Sequence, residues 1–347
     1  MKKIILLLIV SIAFISCKSK QIIYTSVKID TLFTDKISIR PITISEDKVF
    51  YAADKNRVGV IDLKNNSKNE YAIEKDNLKL EFRSIAQTSS SIFIANVGNP
   101  AFIYKFSKDF QQKELVYEEH NEKVFYDSMQ FWNDQEGIAI GDPIENCFCM
   151  LITRDGGTTW TKVSCSNLPE VNEGEAAFAA SNTNIVIKGD KTWIVSGGKK
   201  ARVFFSSDKG KTWCVNNSPI IQGEAMTGIF TADFYNEKIG FIAGGNYEKP
   251  NQNFGNKALT VNGGKTWDLV SENQGFGYAS CVQFVPDSNG EQLVSVGANG
   301  IYYSYDKGNS WKQFSGDSSL FTIRFINKST AIAAGKDKIV RLDFKLK

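Results

Sequence analysis

The sequence predicts an all-β fold, a seven-bladed β-propeller, on three observations. The first is a short pattern, S/T-x-D/N-x-G-x-T/S-W, that occurs four times: Thr153 to Trp160, Ser206 to Trp213, Thr260 to Trp267 and Ser304 to Trp311. Its central residues, Asp155, Asp208, Asn262 and Asp306, follow one another at 53, 54 and 44 positions. A repeat of that length marks a repeat architecture. The second is a small-residue strand that ends in glycine and recurs through the chain. The third is composition: short β-branched and aromatic segments separated by Gly, Asn, Asp and Ser, with no helical period beyond the N-terminal leader.

The repeated pattern has the chemistry of a hairpin turn. A short Asp or Asn side chain accepts the backbone N–H groups that follow it, and Gly takes a positive φ at little steric cost. The Ser/Thr hydroxyl adds a local bond. Trp160, Trp213, Trp267 and Trp311 then open the next strand with enough apolar area to wedge between sheets. The motif resembles the Asp-box, or BNR repeat, of sialidases, sortilin-type receptors and photosystem assembly factors. That resemblance implies a place at the outer rim of a propeller, between the third and fourth strands of a blade. The turn chemistry makes these aspartates structural rather than catalytic.

The small-residue strands end at Ile94 to Gly98, Ala139 to Gly141, Val195 to Gly197, Ile242 to Gly244, Val294 to Gly297 and Ile332 to Gly335, with Val49 to Ala53 as a glycine-free copy. First strands give the same count of seven: Ile37 to Arg40, Leu80 to Arg83, Val124 to Asp127, Glu175 to Phe178, Gly228 to Phe230, Tyr278 to Ser280 and Phe321 to Arg324. The seventh unit runs out of chain after Ile339 to Phe344. The run Gln21 to Lys28, ahead of the first unit, has strand composition and is expected to complete the last blade, leaving no free edge. Residues 22–347 then form one domain.

Residues 1–16 read as a signal peptide: Lys2 and Lys3, then an apolar run from Ile4 to Ile15, too short to span a membrane comfortably. Phe14-Ile15-Ser16-Cys17 resembles a bacterial lipobox, so Cys17 is the expected lipidation site and residues 17–21 a tether. The expectation is a monomeric lipoprotein of the bacterial cell envelope, anchored to the membrane through Cys17 and facing the periplasm. Cys147 and Cys149 lie close to Cys165 across a turn. One local disulfide among them and buried free thiols are both open readings.

The remaining composition excludes more than it assigns. With 41 basic and 38 acidic residues, and Lys2, Lys3, Lys18 and Lys20 in the leader and tether, the folded body is near neutral. No basic tract with interleaved aromatics supports nucleic-acid binding. His120 is the single histidine, in the polar stretch Glu118 to Glu122, which removes histidine-based nucleophile and metal systems. No metal or other cofactor is expected.

Of seven arginines, Arg40, Arg83 and Arg324 end three first strands, and Arg202 sits on a third strand. They are the candidates for an anion- or partner-binding face, against salt bridges between blades. Acidic candidates are Asp127, Asp142, Glu173, Glu175, Glu224 and Asp233. Asp127 and Glu175, near the axis, are the pair that a glycan-active, sialidase-like hydrolase would use. The segments Phe82-Arg83, Phe125 to Phe131, Gly137 to Pro143, Glu173 to Ser181, Ala201 to Phe204 and Gly228 to Phe230 resemble the photosystem II stability and assembly factor-like propellers over the whole mature chain. The resemblance implies no catalysis and an arginine-bearing face, matched here by Arg40, Arg83 and Arg324, that holds an assembly partner. A non-catalytic scaffold binding a protein or polymer ligand is therefore favoured over the hydrolase.

Overall fold

In the computed structural model residues 23–346 are described; the leader 1–16, Cys17 and the tether to Gln21 lie outside the described residues. Alternating apolar positions and frequent turn residues leave each segment to pair with its neighbour in the chain, and the result is an all-β propeller. One 3-10 turn, Cys165–Asn167, is the only helical element among the described residues.

The strands form six antiparallel sheets. Three are simple four-stranded meanders, Phe82–Gln87 through Lys113–Glu119, Tyr126–Phe131 through Thr161–Lys162, and Ala279–Phe284 through Lys312–Ser315. A fourth runs Ile185–Lys188, Lys191–Val195, Arg202–Ser206, Cys214–Asn217, skipping the two-residue strand Gly197–Gly198. That strand and Glu175–Ala176 extend the sheet of Thr227–Phe234, Gly240–Asn246, Lys257–Thr260 and Asp268–Leu269 to six strands. The last sheet joins both ends of the chain, in the order Leu320–Asn327, Thr330–Lys345, Ser26–Ser45, Lys48–Ala53, Arg57–Asp62, Lys68–Ala72.

The sequence count of seven units meets six sheets for a specific reason. The strand Ser26–Ser45 pairs with Thr330–Lys345 from Ser26 to Ser38, then with Lys48–Ala53 from Ile39 to Ser45. The first and last units share it and so fall in one hydrogen-bonded sheet. The N-terminal strand, expected from Gln21 to Lys28, begins at Ser26 and is longer. Another first strand is also displaced. Only Glu175 and Ala176 of the expected Glu175–Phe178 segment pair, and the innermost strand of that unit is Ile185–Lys188. The intervening residues run elsewhere.

The four repeated turns share one hydrogen-bond pattern. The Thr153 hydroxyl oxygen accepts the Gly157 amide (2.9 Å), while Asp155 Oδ1 accepts the amides of Thr158 (3.0 Å) and Thr159 (2.9 Å). The Thr159 hydroxyl donates to Asp155 Oδ2 (2.7 Å). Ser206, Asp208 and Thr212 repeat this, as do Ser304, Asp306 and Ser310. At Asn262 the amide nitrogen reverses the last bond and donates to Thr266 Oγ1 (2.8 Å). Burial works against ionisation of Asp155 and Asp208, but the side-chain and backbone donors of Thr159 and Thr212 outweigh it and hold both carboxyls at about 2.

Each turn also locks one sheet to the one before it. Trp213, Trp267 and Trp311 donate their indole N–H to the carbonyls of Gly210, Gly264 and Gly308. Those glycines, and Gly157, have φ between 73° and 84°. A Cβ at Gly157 would overlap the Phe93 ring of the preceding sheet, and one at Gly308 would overlap Phe241. Between sheets, aromatic wedges fill the core; the indole of Trp193 stacks 3.9 Å from the Phe234 ring. Cys147 and Cys165 form a disulfide beside the short strand Thr161–Lys162, leaving Cys149, Cys214 and Cys281 free.

Gly308→Ala adds left-handed backbone strain, about 1–2 kcal/mol, to an overpacking cost of about 1–3 kcal/mol. Urea unfolding should show a loss of about 2–5 kcal/mol on those two terms. Gly98→Ala serves as the control, since Gly98 has φ 83° with nothing within 4 Å of the added carbon. It should lose only the backbone part.

Candidate functional site

Six innermost strands carry a β-bulge at the same point of the ladder. Phe82 faces Asn96 and Ser84 faces Ala95, so Arg83 is extra. By the same count the extra residues are Asp127, Phe230, Ser280 and Phe321, and in the first unit Arg40 with Pro41. A bulge turns its side chain off the regular pleat. The bulged residues thereby turn toward the axis at one end of the ring, Arg40, Arg83 and Phe321 half-buried at the mouth and Asp127, Phe230 and Ser280 buried behind it.

This register separates the three arginines. Arg40 and Arg83 occupy equivalent positions, but the equivalent in the last unit is Phe321, and Arg324 lies three residues deeper. The Arg40 guanidinium sits 4.6 Å over the Phe321 ring.

The channel behind the rim is crossed by residues 177–184, the segment displaced from the expected first strand. The Arg40 Nη1 donates to Ala180 O (3.3 Å), Arg324 Nη2 to Ser181 O (3.0 Å), and Ser181 Oγ to Ser280 O (2.6 Å). Asn182 Nδ2 donates to Ile85 O (2.8 Å), and its Oδ1 accepts the Met129 amide (3.0 Å). The Ala232 amide donates to Thr183 O (3.0 Å). One segment thus ties strands from every side of the ring, and all of Ala179 to Asn184 is buried.

At the rim the two arginines differ in partnership. Arg83 binds Glu81 through Nε and Nη2, both at 2.8 Å. Arg40 has no carboxylate partner among the described residues, and its Nε is buried without an acceptor. Burial, then the nearby Arg83 charge, push its pKa below the usual arginine value. Beside it Phe178 stacks on Phe230 at 3.9 Å, Tyr278 meets Phe230 edge-on at 4.8 Å, and Tyr247, 48% exposed, packs on Tyr278. The arrangement offers a cation on an aromatic platform, suited to an anionic group with apolar surroundings.

The acidic candidates are placed very differently. Glu175 is fully enclosed and bound by Arg202 through Nε and Nη2 (2.6 Å), by Ser196 Oγ (2.6 Å) and by the Asn172 amide (2.9 Å). Arg202 faces this carboxylate rather than the mouth. Asp127 is buried with neither oxygen hydrogen-bonded in ordinary geometry; the amides of Ala179 and Asp142 lean on it only weakly. Burial and the neighbouring Asp142 raise its pKa well above the usual range, with Arg83 opposing. Burial lifts Asp142 to about 6, although Asp142 accepts the Ala177 amide (2.9 Å). Of the hydrolase pair, one carboxyl is thus under the crossing segment and the other is saturated by donors. Glu173 and Glu224 are lysine-paired near the surface, and Asp233 accepts the Phe234 and Phe284 amides.

Phe321, Tyr247, Tyr278 and the crossing segment escaped the sequence reading. A signal for Phe321 existed: Arg40 precedes Ala53 by 13 residues, Arg83 precedes Gly98 by 15, and Phe321 precedes Gly335 by 14. Arg324 precedes it by only 11.

No protein-family model and no curated protein matches the chain. Solved structures do share its fold. "YCF48 bound to D1 peptide" superposes with a TM-score of 0.67 at 12% identity, covering 93% of this chain and 98% of that one. YCF48 from Cyanidioschyzon merolae gives 0.67 at 11%, covering 92% and 99%. U3-55K gives 0.64 at 9%, covering 91% and 98%.

The Asp127–Asp142 pair makes stability pH-dependent in a defined direction. Both acids bind protons more tightly folded than unfolded, so their contribution is full below about pH 4 and is lost as pH rises through about 6 and above. Asp127→Asn should therefore melt higher than the parent at pH 8, with the gap closing toward pH 5. A gap that is the same at both pH values in thermal unfolding would contradict the assignment.

Proposed function

We propose that the chain is a non-catalytic binding and assembly scaffold of the bacterial cell envelope that holds a protein partner on the mouth carrying Arg40 and Arg83. The observation that carries this reading is Arg40 itself, a largely enclosed cation stacked on Phe321 with no carboxylate of its own. A partner segment bearing a carboxylate beside apolar side chains would supply the missing charge and cover Tyr247. The fold shared with YCF48, one structure of which holds a D1 peptide, supports a protein ligand rather than another class. The hydrolase alternative requires two carboxyls open to substrate, and Asp127 and Glu175 are enclosed.

The same reading takes the ring as seven blades. In support, the innermost strands contact one another in succession around the axis. A separate apolar cluster, including Ile39, Tyr51, Ile332 and Ile339, also lies between the two halves of the sheet that joins the chain ends. On this reading the register shift between Thr34 and Ser38 marks the turn from one blade to the next. The repeated turns are read as Asp-boxes, on their common bond pattern. Anchoring through Cys17 rests on the lipobox-like Phe14-Ile15-Ser16-Cys17, and the Cys147–Cys165 disulfide fits an oxidising compartment such as the periplasm. The scaffold is taken as a monomer.

Two measurements test this. Crosslinking and affinity recovery of the tagged full chain from its own membranes should yield a protein partner that Arg40→Ala/Arg83→Ala loses at least ~10-fold, as expected for removing charge-assisted bonds of about 1.5–3 kcal/mol each. Arg154→Ala, on the outer rim, should keep it. Recovery of the same proteins by the double variant would overturn the reading. Labelling with a palmitate analogue should mark the parent and not Cys17→Ala; an unlabelled parent removes the anchor.

A further inference from the structure

The end of the ring opposite the Arg40 mouth carries an apolar and basic patch on the last sheet. Along Leu320–Asn327, Phe321 meets Arg40 at one end, and Ile326 stands five residues, about 17 Å, further along the strand. Three segments gather at that far end. Asn327 faces Thr330 across the turn that holds Lys328, and the Phe344 amide donates to Ser329 O (2.8 Å). Ser26 faces Lys345, the Thr25 amide donates to Lys345 O (2.9 Å), and the Tyr24 hydroxyl donates to Lys328 O (2.8 Å). The turn at Lys328, residues 344–346 and residues 23–26 therefore share one end of the ring.

Their side chains divide by chemistry. Tyr24 and Phe344 are buried and pack on each other at 5.6 Å, which fixes the backbone on both sides of the patch. Ile326, Ile23 and Leu346 are instead turned to solvent, at 37%, 42% and 55% exposure. Ile326 is the extra residue of a second bulge, between Phe325 and Asn327, which takes it off the pleat that buries Ile323. Lys328 and Lys345 are exposed beside them. No Asp or Glu occurs in residues 17–29, 326–329 or 344–346, while Lys18 and Lys20 add charge of the same sign. The adjoining acid, Asp343, is taken by Arg341 Nε (3.1 Å) and the Thr330 hydroxyl (3.0 Å). Cys17 precedes Ile23 by six residues, a reach of at most about 22 Å.

We propose that this end of the ring is a membrane-contact surface that seats it on an anionic lipid bilayer. Ile23, Ile326 and Leu346 enter the headgroup region, and Lys328 and Lys345 lie on the lipid phosphates. The Arg40 mouth then faces away from the membrane, open to a partner. The proposal rests on the anchored reading of Cys17, which brings the bilayer within reach. A single lipid chain gives only marginal, reversible binding, so a second contact of this kind decides how firmly the ring is held.

Lipid contact is read with an environment-sensitive fluorophore. Ile326→Cys, Leu346→Cys and, at the opposite mouth, Tyr247→Cys are labelled with nitrobenzoxadiazole in the full chain carrying Cys214→Ser, which removes the exposed native thiol. The chains, purified in detergent from the membranes of the producing cells, are reconstituted with vesicles of phosphatidylethanolamine and phosphatidylglycerol. Flotation reads the anchor, and quenching by doxyl-labelled lipid reads the contact. The labels replacing Ile326 and Leu346 should be quenched and blue-shifted, and the label replacing Tyr247 should be neither. Lys328→Gln/Lys345→Gln should lower the salt concentration at which half the quenching is lost, since two lysines near an anionic surface contribute about 30-fold to the docked-to-free ratio. Equal salt midpoints for parent and variant would overturn the anionic-lipid assignment. A chain that floats while the first two labels stay unquenched, or while all three are quenched alike, overturns the contact and leaves the anchor standing. Labels unquenched by lipid yet shielded from aqueous iodide would give the patch to a second copy of the chain and equally overturn it. A chain that does not float removes the anchor and the contact together.

Discussion

The pairing of the first described strand with the last is what the rest of the ring depends on. Neighbouring sheets otherwise hold one another largely by side-chain packing and the turn locks, and an open ring would expose two edges to association. Ser26 faces Lys345, so the closure spans nearly the whole chain, and the register runs through nine residue pairs to Ser38 and Lys336. Relative to a loop of about 20 residues, a closure of about 320 costs only about 2.5 kcal/mol more in chain entropy. Ladder bonds contribute about 0.5–1.5 kcal/mol each. Several of them offset the closure, and apolar packing of Val340, Leu342 and Phe344 adds to the margin.

Once the ring is closed, its axis has to be filled, and here a single segment does it. Residues 177–184 leave the sheet after Ala176, cross beneath the rim and return as Ile185–Lys188. Small side chains make this route feasible: Ala177, Ala179, Ala180 and Ser181 let the backbone come close to strands on all sides, and its carbonyls become acceptors for Arg40 and Arg324. The segment fills the channel and takes up Arg40 at Ala180 O and Arg324 at Ser181 O. That is why arginines which look equivalent in the sequence do not act together.

The repeated turns were fully legible in the sequence because their bonds require particular atoms at particular spacings: a hydroxyl, a carboxylate or amide oxygen two residues on, and a glycine two beyond that. All four form on the same framework of bonds, and Asn262 only reverses the direction of the last one. Strand positions were legible from alternation and glycine ends. What was not legible was register, because a bulge adds a residue without changing composition. By pattern Arg324 ends a first strand as Arg40 and Arg83 do, whereas the ladder aligns Phe321 with them. The crossing segment was equally hidden, since Glu175-Ala-Ala-Phe178 reads as a strand by pattern and its departure is decided by partners far away in the chain. The Glu175–Arg202 pair shows a third limit: sequence marked both as candidates for function, and only their proximity shows that each satisfies the other.

The recurring bulge connects these observations. A side chain in regular pleat at the inner strand faces either the neighbouring sheets or the axis, and both environments are filled by packing. The bulged residue escapes that choice and is turned toward the axis at one end of the ring, so this position varies in chemistry without disturbing the ladder behind it. The residues found there are Arg, Arg, Asp, Phe, Ser and Phe, an uncorrelated set by packing standards. Burying a cation without a counter-ion is unfavourable, and Phe321 offsets only part of that, since a cation–π contact contributes about 0.5–2 kcal/mol. Glu81 is already committed to Arg83. Arg40 therefore sits in a folded chain that would be more stable with an uncharged residue in its place, a penalty that a carboxylate from the proposed partner would remove.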